Sequence, residues 1–168
     1  APSNPFEVGF VDTPRGAWAV SVSGSHAYVV DQPDSLRIID VSVPSSPTEV
    51  GFLGTLQNAH DVAVSGIYAY VADDYMGLRV IDVSSAQNPI ELGLVDTQGD
   101  ARSVAVSART VYVADGEAGL RVIDVSSPSH PAEVGQLDTP DNALDVALSG
   151  IRAFVADRSS LRIIDVSV

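Results

Sequence analysis

The chain has 168 residues, 45% of them hydrophobic and 18% charged, which is the composition of a folded domain large enough to bury a core. Its net charge is −13 and all nine basic residues are arginine, so its surface repels phosphate backbones and anionic bilayers; neither a nucleic-acid partner nor membrane insertion is expected. The absence of cysteine removes disulfides, thiolate metal sites and cysteine nucleophiles together.

In chain order, one unit repeats four times: residues 2–43, 44–85, 86–127 and 128–168. Each opens on a proline turn (Pro2/Pro5, Pro44/Pro47, Asn88-Pro89, Pro128/Pro131). A short strand follows, Glu7–Val11 in the first repeat and Glu133–Leu137 in the last, and then a polar loop, often Asp-Thr. The next strand alternates small and apolar residues: Ala17–Ser23, Ala59–Ser65, Ala101–Ser107 and Ala143–Ser149. After a Ser-Gly type turn comes another strand, Ala27–Val30, Ala69–Ala72, Val111–Ala114 and Ala153–Ala156. A turn opened by Asp31, Asp73, Asp115 or Asp157 leads to the most regular stretch, Leu-Arg-Ile/Val-Ile-Asp-Val-Ser, beginning at Leu36, Leu78, Leu120 and Leu161. These starts are 42, 42 and 41 residues apart, a period that denotes a repeat architecture. Enrichment in Val, Ile and Tyr, period-two alternation and regular Gly/Asp/Pro/Ser punctuation predict four strands per repeat and no helix. Four-stranded units at this period are blades of a β-propeller, an all-β fold that makes residues 1–168 a single domain.

The pattern Ala-x-x-Val-Ala-Val-Ser-Gly (59–66), Tyr-x-Tyr-Val-Ala-Asp (68–73), Gly-Leu-Arg-Val-Ile-Asp-Val-Ser (77–84) and the proline turn resembles the LVIVD-repeat β-propellers over all four repeats. The resemblance implies WD-like blades. The small-residue strand would be innermost and the Glu-Val-Gly strand outermost. It also implies a bacterial or archaeal, extracellular or cell-surface origin. It carries no shared catalytic motif.

On this reading the first and last strands divide one blade, one strand from Glu7–Val11 and three from the last repeat, the final one being Leu161–Val168. This 3+1 clasp covers an otherwise open edge. It closes either a four-bladed ring within one chain or an eight-bladed ring from two copies. The Ala- and Ser-rich inner strands suit shallow stacking, which favours an eight-bladed head-to-tail homodimer.

The recurring turn aspartates read as caps of nearby backbone amides. The Arg and Asp of the regular stretch lie on opposite faces of one strand, so they pair with neighbouring strands rather than with each other. Function belongs where repeats differ. One slot at the start of the inner strand holds Trp18, His60, Arg102 and Leu144; the next holds Ala19, Asp61, Ser103 and Asp145. Trp18, His60, Asp61, Arg102 and Asp145 are therefore the binding candidates at the channel mouth, for a small ligand or a cation, with backbone capping as the alternative role of the aspartates. The loops carrying Tyr75, Met76, Glu117 and Arg158 form an acidic rim suited to contact with another protein. His26, His60 and His130 occupy three different phases of the repeat, which argues against a three-histidine metal site within one chain. No catalytic residue, metal or cofactor is expected. The sequence points to a non-catalytic, self-assembling scaffold or binding module, natural or an engineered or excised half-propeller. Ligand binding at the mouth is the alternative, and a hydrolase-like activity resting on His60 or Asp61 is a second one.

Overall fold

The computed structural model describes residues 3–54 and 56–167, and every regular element among them is a strand. There are fifteen. The first sheet holds β1 (Ala17–Ser23), β2 (His26–Asp31), β3 (Ser35–Asp40) and β4 (Thr48–Leu53); the second β5 (Asp61–Ser65), β6 (Tyr68–Ala72), β7 (Leu78–Asp82) and β8 (Ile90–Val95). The third holds β9 (Ser103–Ser107), β10 (Thr110–Ala114), β11 (Leu120–Asp124) and β12 (Ala132–Leu137). The last has three strands, β13 (Ala143–Ser149), β14 (Arg152–Asp157) and β15 (Ser160–Asp165). All pairings are antiparallel between consecutive strands, the up-and-down meander that short polar turns impose.

The predicted strands of the inner, second and third positions are all present, within two residues at most ends. Their order also agrees: β1, β5, β9 and β13 lie innermost and pack one against the next. Between consecutive sheets lies one apolar layer. Tyr28, Val30, Leu36 and Ile38 of the first sheet meet Val62, Ala69, Val71 and Ile81 of the second. The same positions repeat in Tyr70, Ala72, Leu78 and Val80 against Val104, Val111, Val113 and Ile123, and in Tyr112 and Leu120 against Val146, Ala153 and Val155. Period-two alternation thus gives each blade two apolar faces, one for each neighbour.

One prediction, the first strand, fails in the single chain, and of the two closures left open one is absent. Glu7–Val11 forms no strand, because no partner strand lies beside it to complete a ladder. The 3+1 clasp is accordingly not closed within the chain, and β15 is an open edge whose strand stops at Asp165. Residue 168, the last of the predicted strand, lies outside the described residues.

Segment 6–11 is nevertheless placed like an outermost strand. An ideal Cβ on Gly9 would meet Pro44 O at 2.2 Å, as one on Gly51 would meet Ala86 O at 2.0 Å. It therefore occupies the outer-strand position of a blade preceding the first, with Phe6, Val8 and Phe10 exposed.

Candidate functional site

The start of each inner strand projects one variable side chain, and the close stacking of β1, β5 and β9 brings these together although 42 residues separate them. The Trp18 and His60 rings meet edge-on, centroids 6.3 Å apart. Arg102 Nη1 donates to His60 Nε2 at 3.1 Å, and Arg102 Nη2 lies 3.1 Å from Asp100 Oδ2 and 3.7 Å from Asp74 Oδ1. Asn58 Nδ2 donates to Asp74 Oδ2 at 2.8 Å and holds that carboxylate beside the histidine. Three of the five candidates, Trp18, His60 and Arg102, thus form one continuous row. Leu144 occupies the next phase of the row.

His60 is tuned toward neutrality. Burial, then the adjacent Arg102 cation, push its pKa below the ordinary histidine value, against the opposing pull of Asp74. With Nε2 accepting from Arg102, the ring proton sits on Nδ1.

Asp61 and Asp145 form a separate array. Asp61 Oδ1 accepts from Val62 N at 2.8 Å, and Oδ2 accepts from Val104 N at 2.9 Å and lies 2.9 Å from Ser103 Oγ. Ser103 Oγ is also 2.7 Å from Asp145 Oδ1. A hydroxyl has one proton, so Ser103 is shared between two carboxylates. The Val146 amide closes the row onto Asp145 Oδ1 at 2.9 Å. Asp61 therefore caps an amide of the adjacent blade, the alternative role that the sequence allowed.

The turn aspartates are fully buried and do more than cap amides. Asp31 Oδ1 accepts from Arg15 N and Gly16 N, Asp73 Oδ1 from Gln57 N and Asn58 N, and Asp157 Oδ1 from Asp141 N. Each also takes the Nε–H of the arginine in the following strand: Arg37 at 2.5 Å, Arg79, and Arg162 at 3.0 Å. The arginine's Nη1 reaches on to Glu49 and Glu91 in the first two blades. The regular spacing of five or six residues from Asp to Arg is the signal in the sequence. Strand periodicity does not reveal it, because the pair meets across a hairpin and not along a strand.

The third blade departs from this pattern. Arg121 Nε stands 3.7 Å from Asp115 Oδ2, and its Nη1 donates instead to Gln136 at 2.5 Å. Gln136 occupies the slot of Phe52 and Leu94, so of these three blades the third alone places an amide acceptor in that slot. Thr97 donates to Asp115 Oδ1 at 2.5 Å. Burial dominates what remains, and the Asp115 carboxyl is pushed up to about 7.

On the loop rim, a cleft of about 420 Å³ is lined by Tyr75, Asp96, Asp100 and Glu117 together with Gly99 and Ala118. Of the other histidines, His26 sits beside Tyr28 in the first hairpin and His130 beside Ser129 in a proline turn.

A family model described as LVIVD repeat matches residues 14–55, 57–97, 98–139 and 140–167. The search of curated proteins gave no match. Among solved structures, the computationally designed Ika4 protein superposes with a TM-score of 0.79 at 9% identity, over 98% of this chain and 99% of that one. A functionally unknown protein from Desulfotomaculum acetoxidans superposes at 0.77 and 10% identity, and BamB from Moraxella catarrhalis at 0.71 and 15%. Those two alignments cover 92% and 93% of this chain but only 57% and 48% of the other. At these identities the likeness is one of fold.

Proposed function

With its four repeats matched by that model, this chain belongs to the LVIVD-repeat family of β-propellers, and we propose that it is a non-catalytic scaffold that forms half of a ring with a second copy of itself. One observation carries the reading. The sequence Leu-Arg-Ile-Ile-Asp occurs at 36–40 and again at 161–165, yet Leu36 and Ile38 are 0% exposed while Leu161 and Ile163 are 64% and 61% exposed. The same side chains that seal one sheet against the next are left bare on the last sheet. On the first sheet the opposite face is bare along its inner strand: Val20 is 62% exposed, where its counterpart Val62 is 4%, while Ala27, Val29 and Ile39 of the same face are buried. These two faces are the two sides of every internal blade junction.

Stacking the last sheet of one copy on the first sheet of another covers both. Done twice about a two-fold axis, it closes eight blades with no free face. The shared blade would be completed by pairing Glu7–Val11 of one copy with β15 of the other, within Leu161–Val168, removing the apolar edge. The likeness of this four-bladed arc to about half of two longer chains accords with it. Continuing the polar row, Asp145 Oδ2 would accept the Val20 amide of the second copy as Asp61 Oδ2 accepts Val104. Leu144 would then face the second copy's Trp18.

Replacing Leu161 and Ile163 together by glutamate tests the reading, with sedimentation as the readout. Each buried aliphatic side chain contributes about 1.5–3 kcal/mol, at two junctions, so the variant is expected to be a folded monomer. Leu36→Glu, by contrast, should unfold the chain. An unchanged assembly in the double variant would overturn the half-ring.

A second reading, a small polar ligand at the mouth, rests on the contiguous Trp18–His60–Arg102 row. Replacing all three by alanine should abolish any ligand-induced thermal shift. A screen of the wild-type protein giving no shift with any ligand class removes this reading.

A further inference from the structure

The outer position of every repeat carries a glycine: Gly9, Gly51, Gly93 and Gly135. At three of them a Cβ would strike the backbone of the next proline turn, at Pro44 O (2.2 Å), Ala86 O (2.0 Å) and Pro128 O (2.5 Å). Glycine is required there because a carbonyl occupies the place of a side chain. Gly135 has no such neighbour among the described residues. A Cβ on it would meet only Val122 of its own sheet, at 3.6 Å.

Beside Gly135 lies a groove of about 750 Å³, lined by Tyr112, Val122, Val134, Leu137, Ile164 and Val166. Their counterparts between the first two sheets are Tyr28, Ile38, Val50, Leu53, Ile81 and Val83, and there the space is closed, with Ala86 packed into it. The groove is thus a proline-turn seat identical in kind to three filled ones. The turns that fill those seats occupy one phase of the repeat: Pro44-Ser45, Ala86-Gln87 and Pro128-Ser129. The remaining stretch of this chain in that phase is residues 2–5, whose Pro2 and Pro5 match Pro44 and Pro47.

We infer that the groove at Gly135 is a docking site for residues 2–5 of a second copy, and that seating this turn delivers Phe6–Val11 to the open edge of β15. The inference rests on the half-ring reading and adds the anchor that fixes strand register across the junction. In the first repeat the turn at Pro44–Pro47 leads directly into β4, which pairs with β3. The docked turn stands in the same relation to β15.

Gly135→Val tests it. In the free chain the new Cβ meets only Val122, at ordinary contact distance, so the monomer should fold with unchanged far-UV circular dichroism. In the assembly it strikes a carbonyl at both junctions, and the dissociation constant should rise about 100-fold or more. Gly93→Val is the contrast, since its turn lies in the same chain and the monomer itself should lose stability. Val134→Arg, at an exposed groove position, gives a second, surface-compatible block with the same expected result. If wild type and both groove variants assemble with equal affinity, the docking site is wrong and the half-ring stands. If the wild type is monomeric at every concentration, the half-ring and the docking site fall together.

Discussion

Buried Asp–Arg pairs are the residue-scale device that every blade shares and the third blade alters. Asp73 accepts two backbone amides and the Arg79 guanidinium while fully buried. Removing it takes the acceptor from Arg79 Nε–H and from the amides of Gln57 and Asn58 and leaves Glu91 to hold the cation, so Asp73→Ala is expected to cost about 3–5 kcal/mol in a denaturant titration. Asp115 behaves differently. With its pKa raised to about 7, the folded state keeps a proton that the unfolded state has released above about 4. Its contribution to stability therefore falls as pH rises from about 4 to 7. His60, with a lowered pKa, acts in the opposite sense, its contribution being lost as pH falls below the ordinary histidine value. The difference in stability between wild type and Asp115→Asn isolates the first effect and should move against the wild type across that window. Gln136→Leu removes the competing acceptor, returns Arg121 to Asp115 and should bring the carboxyl well below 7 by NMR titration. In the sequence all four aspartates and arginines are plain, and backbone capping by the aspartates was legible. The effect of Gln136 was not, because it acts through the choice of one guanidinium between two strands.

At the scale of the element, a strand exists only where a partner completes its ladder. Glu7–Val11 has the alternation and composition of an outer strand, and sequence alone reads it as one. It lacks a partner here, and so does the outer edge of β15. Both gaps have the same predicted remedy. Amides of Val8 to Phe10 and the outward amides of β15 should exchange rapidly in dilute protein and gain protection together as concentration rises. Protection of one set without the other would mean that they do not pair. The inner strands were legible because alternation is strict there. The row of Trp18, His60 and Arg102 was legible because position in the repeat, not distance in sequence, decides adjacency in a blade stack. Asp74, Asp100 and Asn58, which complete that row, come from connecting loops, where no periodicity marks which side chain turns inward.

At the scale of the whole molecule, the open arc leaves unburied what a ring would cover. The chain exposes 8759 Å², against about 7,900 Å² for a typical folded monomer of its 17.5 kDa. The excess includes the exposed inner strand of the first sheet (Val20, Val22), the bare face of the last sheet (Leu161, Ile163) and the outer segment with Phe6, Val8 and Phe10. Assembly of two such copies brings together two charges of −13, so it should strengthen when salt is raised from about 0.01 M to about 0.15 M. The number of blades was legible from the period. Ring closure was not, since the same strand pairing serves one chain or two, and what separates them is the splay between sheets. Absolute mass in solution, by light scattering behind a sizing column over a dilution series, is the most direct test. Two half-rings closing each other predict twice 17.5 kDa, persisting on dilution. A compact species of 17.5 kDa at every concentration would contradict that account.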